Sequence, residues 1–242
     1  MKRTRMGELD VWVAGGTDGD GGGDGPGVLL CHGFGAPGND LVPLWRAIDA
    51  GRGVRWFFPE APISLEAMFG APARAWWLID MAKLDMAMRT GRRDELKRET
   101  PDGLAEARAA LESVLAELES SRGLPPERLV LGGFSQGAMI TTEVALHAAR
   151  PFAGLAILSG TFLCEDRWRA AAKTAGPTLH VAQSHGRRDP LLPFTLAEEL
   201  ATTLRESGAT VDFVAHGGAH EIPESALAAL GRLARTRLPM GE

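Results

Sequence analysis

The sequence has little cysteine, no excess of positive charge and no long apolar run, and each shortage narrows what the chain can be. Cys31 and Cys164 are its 2 cysteines in 242 residues. They are too few for a disulfide framework, lack metal-ligand spacing and suit a reducing compartment. Lys plus Arg number 26 against 31 for Asp plus Glu, a net charge of −5. A chain with that balance is not built to neutralise phosphates, so nucleic acid is not an expected partner. The longest charge-free windows, residues 129–142 and 151–164, are too short to span a bilayer and carry Gly, Ser and Thr. The basic start Met1-Lys2-Arg3-Thr4-Arg5 runs into Gly7-Glu8-Leu9-Asp10, not into an apolar stretch. No signal peptide or transmembrane segment is read there, and a cytoplasmic location is expected.

What is present is the composition of a globular protein, with 45% hydrophobic and 24% charged residues. Short apolar runs at 28–31, 56–58, 129–131, 155–158, 179–182 and 211–214 lack in/out alternation, which predicts strands covered on both faces. Helical patterns at 40–48, 104–120, 136–147, 194–206 and 224–238 lie between them. In the second, Leu104, Ala107, Leu111, Val114, Leu115 and Leu118 form one apolar stripe. This alternation predicts one α/β domain over residues 1–242, a mostly parallel sheet with helices on both faces. The Gly/Asp-rich stretch at 15–27 has nothing apolar to offset its backbone entropy and is expected to be a mobile loop after an edge strand at 9–14. Residues 60–99 form the one long excursion, too short for a large lid domain. Within it the mixed charges of residues 89–99 read as a solvated connection.

The most informative stretch is Gly133-Phe134-Ser135-Gln136-Gly137. This G-x-S-x-G sits between a buried strand and an amphipathic helix, where a serine can be held on a tight turn facing the helix N-terminus. Ser135 is therefore the candidate nucleophile. A serine needs a base, and the base an orienting acid, in the chain order Ser, Asp or Glu, His. His220, in the loop between the last strand and the last helix, is preferred as base over His216, which ends the strand itself. Asp189, in the loop after strand 179–182, is the preferred acid, with Glu165 and Asp166 as runners-up. His180 reads as a core residue, and His185 as a tie for the Asp189 loop. The second amide of an oxyanion site, beside that of Gln136, is assigned to Phe34 in the glycine-rich loop His32-Gly33-Phe34-Gly35.

These pieces together resemble the phospholipase/carboxylesterase family of α/β-hydrolases. The resemblance is carried by Leu30-Cys31-His32-Gly33-Phe34-Gly35, Phe58-Pro59-Glu60-Ala61-Pro62, Arg74-Ala75-Trp76-Trp77, the serine motif, His185-Gly186-Arg187-Arg188-Asp189-Pro190-Leu191-Leu192-Pro193 and Gly218-Ala219-His220-Glu221. It implies an α/β-hydrolase fold and a serine hydrolase of carboxylic esters or thioesters with short to medium acyl chains, with a lysophospholipase or acyl-protein thioesterase as the alternative and a non-catalytic hydrolase-like binding protein as the further one. Ser135, Asp189 and His220 would be its catalytic residues and Phe34 and Gln136 its oxyanion donors. Trp76, Trp77 and Leu192 are the candidate substrate-binding residues: in an extended segment one tryptophan would pack inward and the other cover the cleft, and burial of both in the core is the equal alternative. Two departures concern substrate: Ala36-Pro37 replaces an Asp common in the family, and Trp77-Leu78-Ile79-Asp80 replaces the Trp-Phe-Asp of the thioesterases. The expected partner is a small-molecule ester or thioester, with no cofactor or metal, and the chain a monomer or homodimer.

Overall fold

Gly27–Cys31 offers no polar side chain to solvent, so as a strand it has to be covered on both faces. All of its residues are buried. In the computed structural model, which describes residues 1–238, the strands are β1 (Lys2–Met6), β2 (Leu9–Gly16), β3 (Asp20–Gly22), β4 (Gly27–Cys31), β5 (Arg55–Pro59), β6 (Ile63–Ser64), β7 (Arg74–Ala75), β8 (Leu129–Phe134), β9 (Gly154–Leu158), β10 (His180–Gly186) and β11 (Thr210–His216). The helices are α1 (Leu44–Ala47), α2 (Glu66–Phe69), α3 (Met81–Thr90), α4 (Arg93–Arg98), α5 (Leu104–Arg122), α6 (Gln136–His147), α7 (Glu165–Ala175), α8 (Phe194–Glu206) and α9 (Glu224–Arg237). The strands build a nine-stranded sheet in the order β1-β2-β5-β4-β8-β9-β10-β11, with β3 beside β2, while β6 and β7 form a separate ribbon. From β5 to β11 neighbours run parallel, and β2 joins β1 and β5 antiparallel.

Successive strand residues point to opposite faces, and two cores result. Leu29 and Cys31 of β4 pack with Leu131, Leu155 and side chains of α5 to α8 such as Leu111, Ile140 and Leu200. Val28 and Leu30 pack with Val130, Ala156 and Leu230 of α9. The stripe expected on α5 is the buried one, Leu104, Ala107, Leu111, Val114 and Leu118, with Leu115 partly buried against it. The architecture is thus the one the alternation predicts and the one the resemblance implies: a mostly parallel sheet with helices on both faces and, among the described residues, no large lid.

The differences from expectation have local causes. The outermost strand is β1, and the predicted edge strand is β2, second in the sheet. The Gly/Asp-rich stretch is no free loop: Asp18 Oδ1 accepts the amides of Asp20 and Gly22, both at 2.8 Å. That side-chain turn, with glycines 15, 16, 19, 21 and 23 at positive φ, folds β3 back onto β2. The pattern at 40–48 yields only the single turn α1, because Pro43, without an amide hydrogen, stands at its start. Residues 89–92, 95 and 98 are exposed, as a solvated connection requires, but the segment is also anchored. Lys97 of α4 is buried, 2.7 Å from both oxygens of Glu199 on α8 and 3.4 Å from Glu165 on α7. Arg169 joins the same carboxylates at 3.0 and 2.6 Å, so the excursion is fastened to two core helices. Replacing Lys97 by Ala leaves two carboxylates facing each other around one cation fewer. It is expected to lower the thermal midpoint by about 3–8 °C; a change within about 1 °C in a melting scan would show that the cluster anchors nothing.

Candidate active site

The parallel strands deliver their C-terminal ends to one edge, where ligand sites of such sheets gather. β8 ends at Phe134 and α6 begins at Gln136, leaving Ser135 alone to reverse the chain. It does so at φ 54° and ψ −119°, outside the regions a non-glycine residue normally occupies. The strain is imposed by its neighbours. A Cβ on Gly137 would fall on the carbonyl oxygen of Cys31, and one on Gly133 on the backbone of Gly137. Only bare backbone lets β4, β8 and the first turn of α6 approach this closely. The Ser135 amide donates to Leu158 O at 2.8 Å. Its carbonyl accepts from Ala138 and Met139 at 3.0 and 3.1 Å, the first bonds of α6.

Beside this turn the loop after β4 is held rigidly. His32 is buried, and its ring has both nitrogens engaged. Nδ1–H donates to Gly33 O at 2.9 Å, and Nε2 accepts the Ala61 amide at 3.0 Å. The two bonds fix it as the neutral tautomer, and burial lowers its pKa in the same direction. Gly35 N and Arg74 O, and Arg74 N and Ala36 O, exchange hydrogen bonds of 2.9 and 3.0 Å. Among the described residues the amides of Phe34 and Gln136 donate to no protein group, so both remain available to an outside acceptor.

Asp189 and His220 are brought together. His220 Nδ1 lies 2.6 Å from Asp189 Oδ2. The carboxylate also accepts the amides of Leu191 and Leu192 at 2.9 Å and faces His185 Nε2 at 3.3 Å. Burial alone would raise the Asp189 pKa; the bonds from His185, His220 and the Leu192 amide outweigh it and hold the group well below the usual carboxylate range. The His220 ring lies against Phe134, with centroids 4.8 Å apart, next to Ser135. Among the described residues no hydrogen bond joins Ser135 Oγ to His220. The alternatives lie elsewhere. His216 accepts the Gly218 amide at 3.2 Å, His180 opens β10 at its far end, and Glu165 pairs with Lys97 and Arg169 in the first turn of α7, where Asp166 also stands. His185, read from sequence as a tie for this loop, is buried and also contacts Leu192 O at 3.0 Å.

The sequence profile of the phospholipase/carboxylesterase family matches residues 24–236. The chain belongs to the phospholipase/carboxylesterase family. Among its relatives, acyl-protein thioesterase 1 of Schizosaccharomyces pombe is 23% identical over 212 residues, covering 86% of this chain and 89% of that protein. Acyl-protein thioesterase 1 of Mycosarcoma maydis is 28% identical, covering 76% and 78%. The fold is shared with the crystal structures of esterase PE8 (TM-score 0.75, 24% identity, 96% of this chain and 100% of that one) and the Bacillus cereus carboxylesterase (0.69, 17%, 95% of each).

In this member of the family, the reading of Trp76 and Trp77 that holds is the one that places both in the core. Both are buried, at 1% and 3% exposure, in the same core. The chain bends at the pair and is not extended there, so adjacent side chains need not diverge. Trp76 Nε1 donates to His32 O at 3.0 Å. Trp77 borders a cavity of about 510 Å³ with Leu78, Ile79, Leu84 and Thr100, whose lining includes none of Ser135, Asp189 and His220. Leu192 is partly buried against the core. Phe69, 53% exposed, stands edge-on to the ring of Phe34, with centroids 6.4 Å apart.

Sequence reasoning missed what Gln136 does with its side chain. Oε1 accepts the Trp76 amide at 2.9 Å and Nε2 donates to Trp77 O at 2.8 Å. The only signal was a glutamine in the first, buried turn of a helix. Two outcomes test the strained turn. Ser135→Gly is expected to stabilise the fold by about 1 kcal/mol, as the φ penalty disappears. Gly137→Ala is expected to destabilise it by at least about 2 kcal/mol. Urea denaturation of both variants measures this, and a neutral Gly137→Ala would contradict the close approach.

Proposed function

We propose that the protein is a carboxylesterase, a serine hydrolase that cleaves carboxylic esters of short to medium acyl chains through an acyl-enzyme. The observation that carries this reading is the 2.6 Å contact of His220 with an ionised, buried Asp189, beside a serine strained at the head of α6. In the proposed reaction Ser135 Oγ attacks the acyl carbonyl while His220 Nε2 takes its proton. Asp189, bonded to Nδ1–H, stabilises the imidazolium. The amides of Phe34 and Gln136 donate to the oxyanion. His220 then protonates the departing alcohol, and water repeats the sequence on the acyl-enzyme. The first step requires Ser135 Oγ and His220 Nε2 to come within hydrogen-bond reach, a contact commonly completed only with substrate bound.

Thioesters are the second reading, favoured by the names of the curated relatives; the same machinery serves a thiol leaving group. A cytoplasmic setting belongs to the same proposal, supported by two buried free thiols. Among the described residues no helix is long and apolar enough to cross a membrane.

Purified protein is expected to hydrolyse p-nitrophenyl butyrate and to react with a fluorophosphonate probe. Ser135→Ala should lower kcat/KM by at least about 10³-fold and abolish labelling. Unchanged turnover in that variant would sink the assignment, and an unlabelled wild type would point to a hydrolase-like binding protein. Parallel ester and thioester substrates of graded chain length separate the two enzymatic readings.

The pH dependence tests the state of Asp189. Its bonds from His185, His220 and the Leu192 amide hold it below the usual carboxylate range, so it stays ionised where an ordinary carboxylate would take up its proton. The carboxylate should therefore add no proton to the acid limb of log kcat/KM, whose slope is expected to stay near 1; a slope near 2 would place the carboxylate's titration there as well.

A further inference from the structure

Among the described residues, two non-glycine residues besides Ser135 take positive φ: Ser159 at 49° and Cys164 at 46°. Ser159 stands one residue past the end of β9 and is fully buried, at 0% exposure. Left-handed backbone is costly for serine and free for glycine, and a strained residue persists where its surroundings over-determine it. The next residue, Gly160, shows that glycine is used in this turn where space demands it, since a Cβ there would meet Ala138 Cβ at 2.8 Å. At position 159 a hydroxyl is kept at the expense of strain. The amide of Ser159 donates to Ser184 O at 2.9 Å, and its Oγ donates to Glu221 O at 3.1 Å.

Glu221 directly follows His220. The chain leading into His220 is already bound to the Asp189 loop. Arg187 N donates to His216 O at 2.8 Å and Arg188 N to Gly218 O at 3.1 Å, and Arg188 Nε to Gly217 O at 2.6 Å. Gly186 has no room for a Cβ against Ala219 O. On the other side of His220, the described link from the loop backbone to the sheet is the Ser159 hydroxyl. With it, the base is hydrogen-bonded in place from both directions; without it, the side after His220 is held by the packing of Ile222 against the core.

Resting on the reading of Ser135, Asp189 and His220 given above, we infer that Ser159 is a positioning residue for the reaction, its hydroxyl holding the His220 loop so that the imidazole meets Ser135. Ser159 touches neither substrate nor the reacting atoms in this role. It acts on the orientation of the base, so it affects kcat and not the binding of substrate. The hydroxyl and the backbone strain make separable predictions, because alanine removes only the first and glycine removes both.

The experiment compares wild type, Ser159→Ala and Ser159→Gly. Both variants are expected to lose about 10-fold in kcat on p-nitrophenyl butyrate with KM within about twofold of wild type. The rate of fluorophosphonate labelling of Ser135 should fall by the same factor. The glycine variant should melt above the alanine variant, so that activity follows the hydroxyl while stability follows the backbone. Turnover within about twofold of wild type in both variants would overturn the inference, as would activity that tracks melting temperature, with the glycine variant near wild type. A wild type inert to ester and probe would instead overturn the functional reading and this inference with it.

Discussion

The structure depends on one close approach, in which the first turn of α6 is pressed against the carbonyl end of β4. Gly137 and Gly133 are bare because the carbonyl of Cys31 and the backbone of Gly137 occupy the space their side chains would need. With those two positions fixed, the chain between β8 and α6 has a single residue in which to turn, and Ser135 takes the strained geometry that results. The same contact brings the loop beginning at His32 alongside the first turn of α6, where a Cβ on Gly137 would also meet His32 O. Site geometry here is a by-product of packing two strands and a helix at backbone distance.

The excursion after β5 is built into that arrangement and does not merely cover it. The Gln136 side chain reaches out of α6 to bond the backbone of Trp76 and Trp77, and the Trp76 indole reaches back to His32 O. Further along, the Lys97 cluster ties α4 to α7 and α8. Both indoles are buried, and among the described residues the large apolar side chains that the excursion exposes are Met68, Phe69, Leu78, Met81 and Met86.

Much of this was legible in the sequence, for reasons that differ by element. The strand runs and the α5 stripe carry their burial in their own periodicity, and G-x-S-x-G states a steric requirement that the backbone contacts bear out. Asp189 and His220 could be picked because each sits in a loop leaving the end of a strand. Lys97 could not: Glu199 lies 102 residues away, and an ion pair across that separation leaves no local pattern. The tryptophan pair left two readings open because the alternation rule holds only for extended backbone, and a bend at Trp76–Trp77 suspends it. β1 escaped notice because its side chains are nearly all charged or polar, and only Met6 is buried. The ordered Gly/Asp turn rests on two bonds to one Asp18 oxygen, which composition does not reveal.

That outermost strand has a consequence of its own. A sheet border exposes unpaired amides and carbonyls that invite a foreign strand, and natural proteins commonly guard it with lysine and arginine. β1 reads Lys-Arg-Thr-Arg-Met. Arg3 bonds Glu60 and Asp10 and Arg5 lies 3.9 Å from Asp10, yet Lys2, Arg3 and Arg5 all stay exposed. A like strand from another molecule would have to set cation against cation to dock there. The polar start of the chain thus doubles as protection against fibrous self-association.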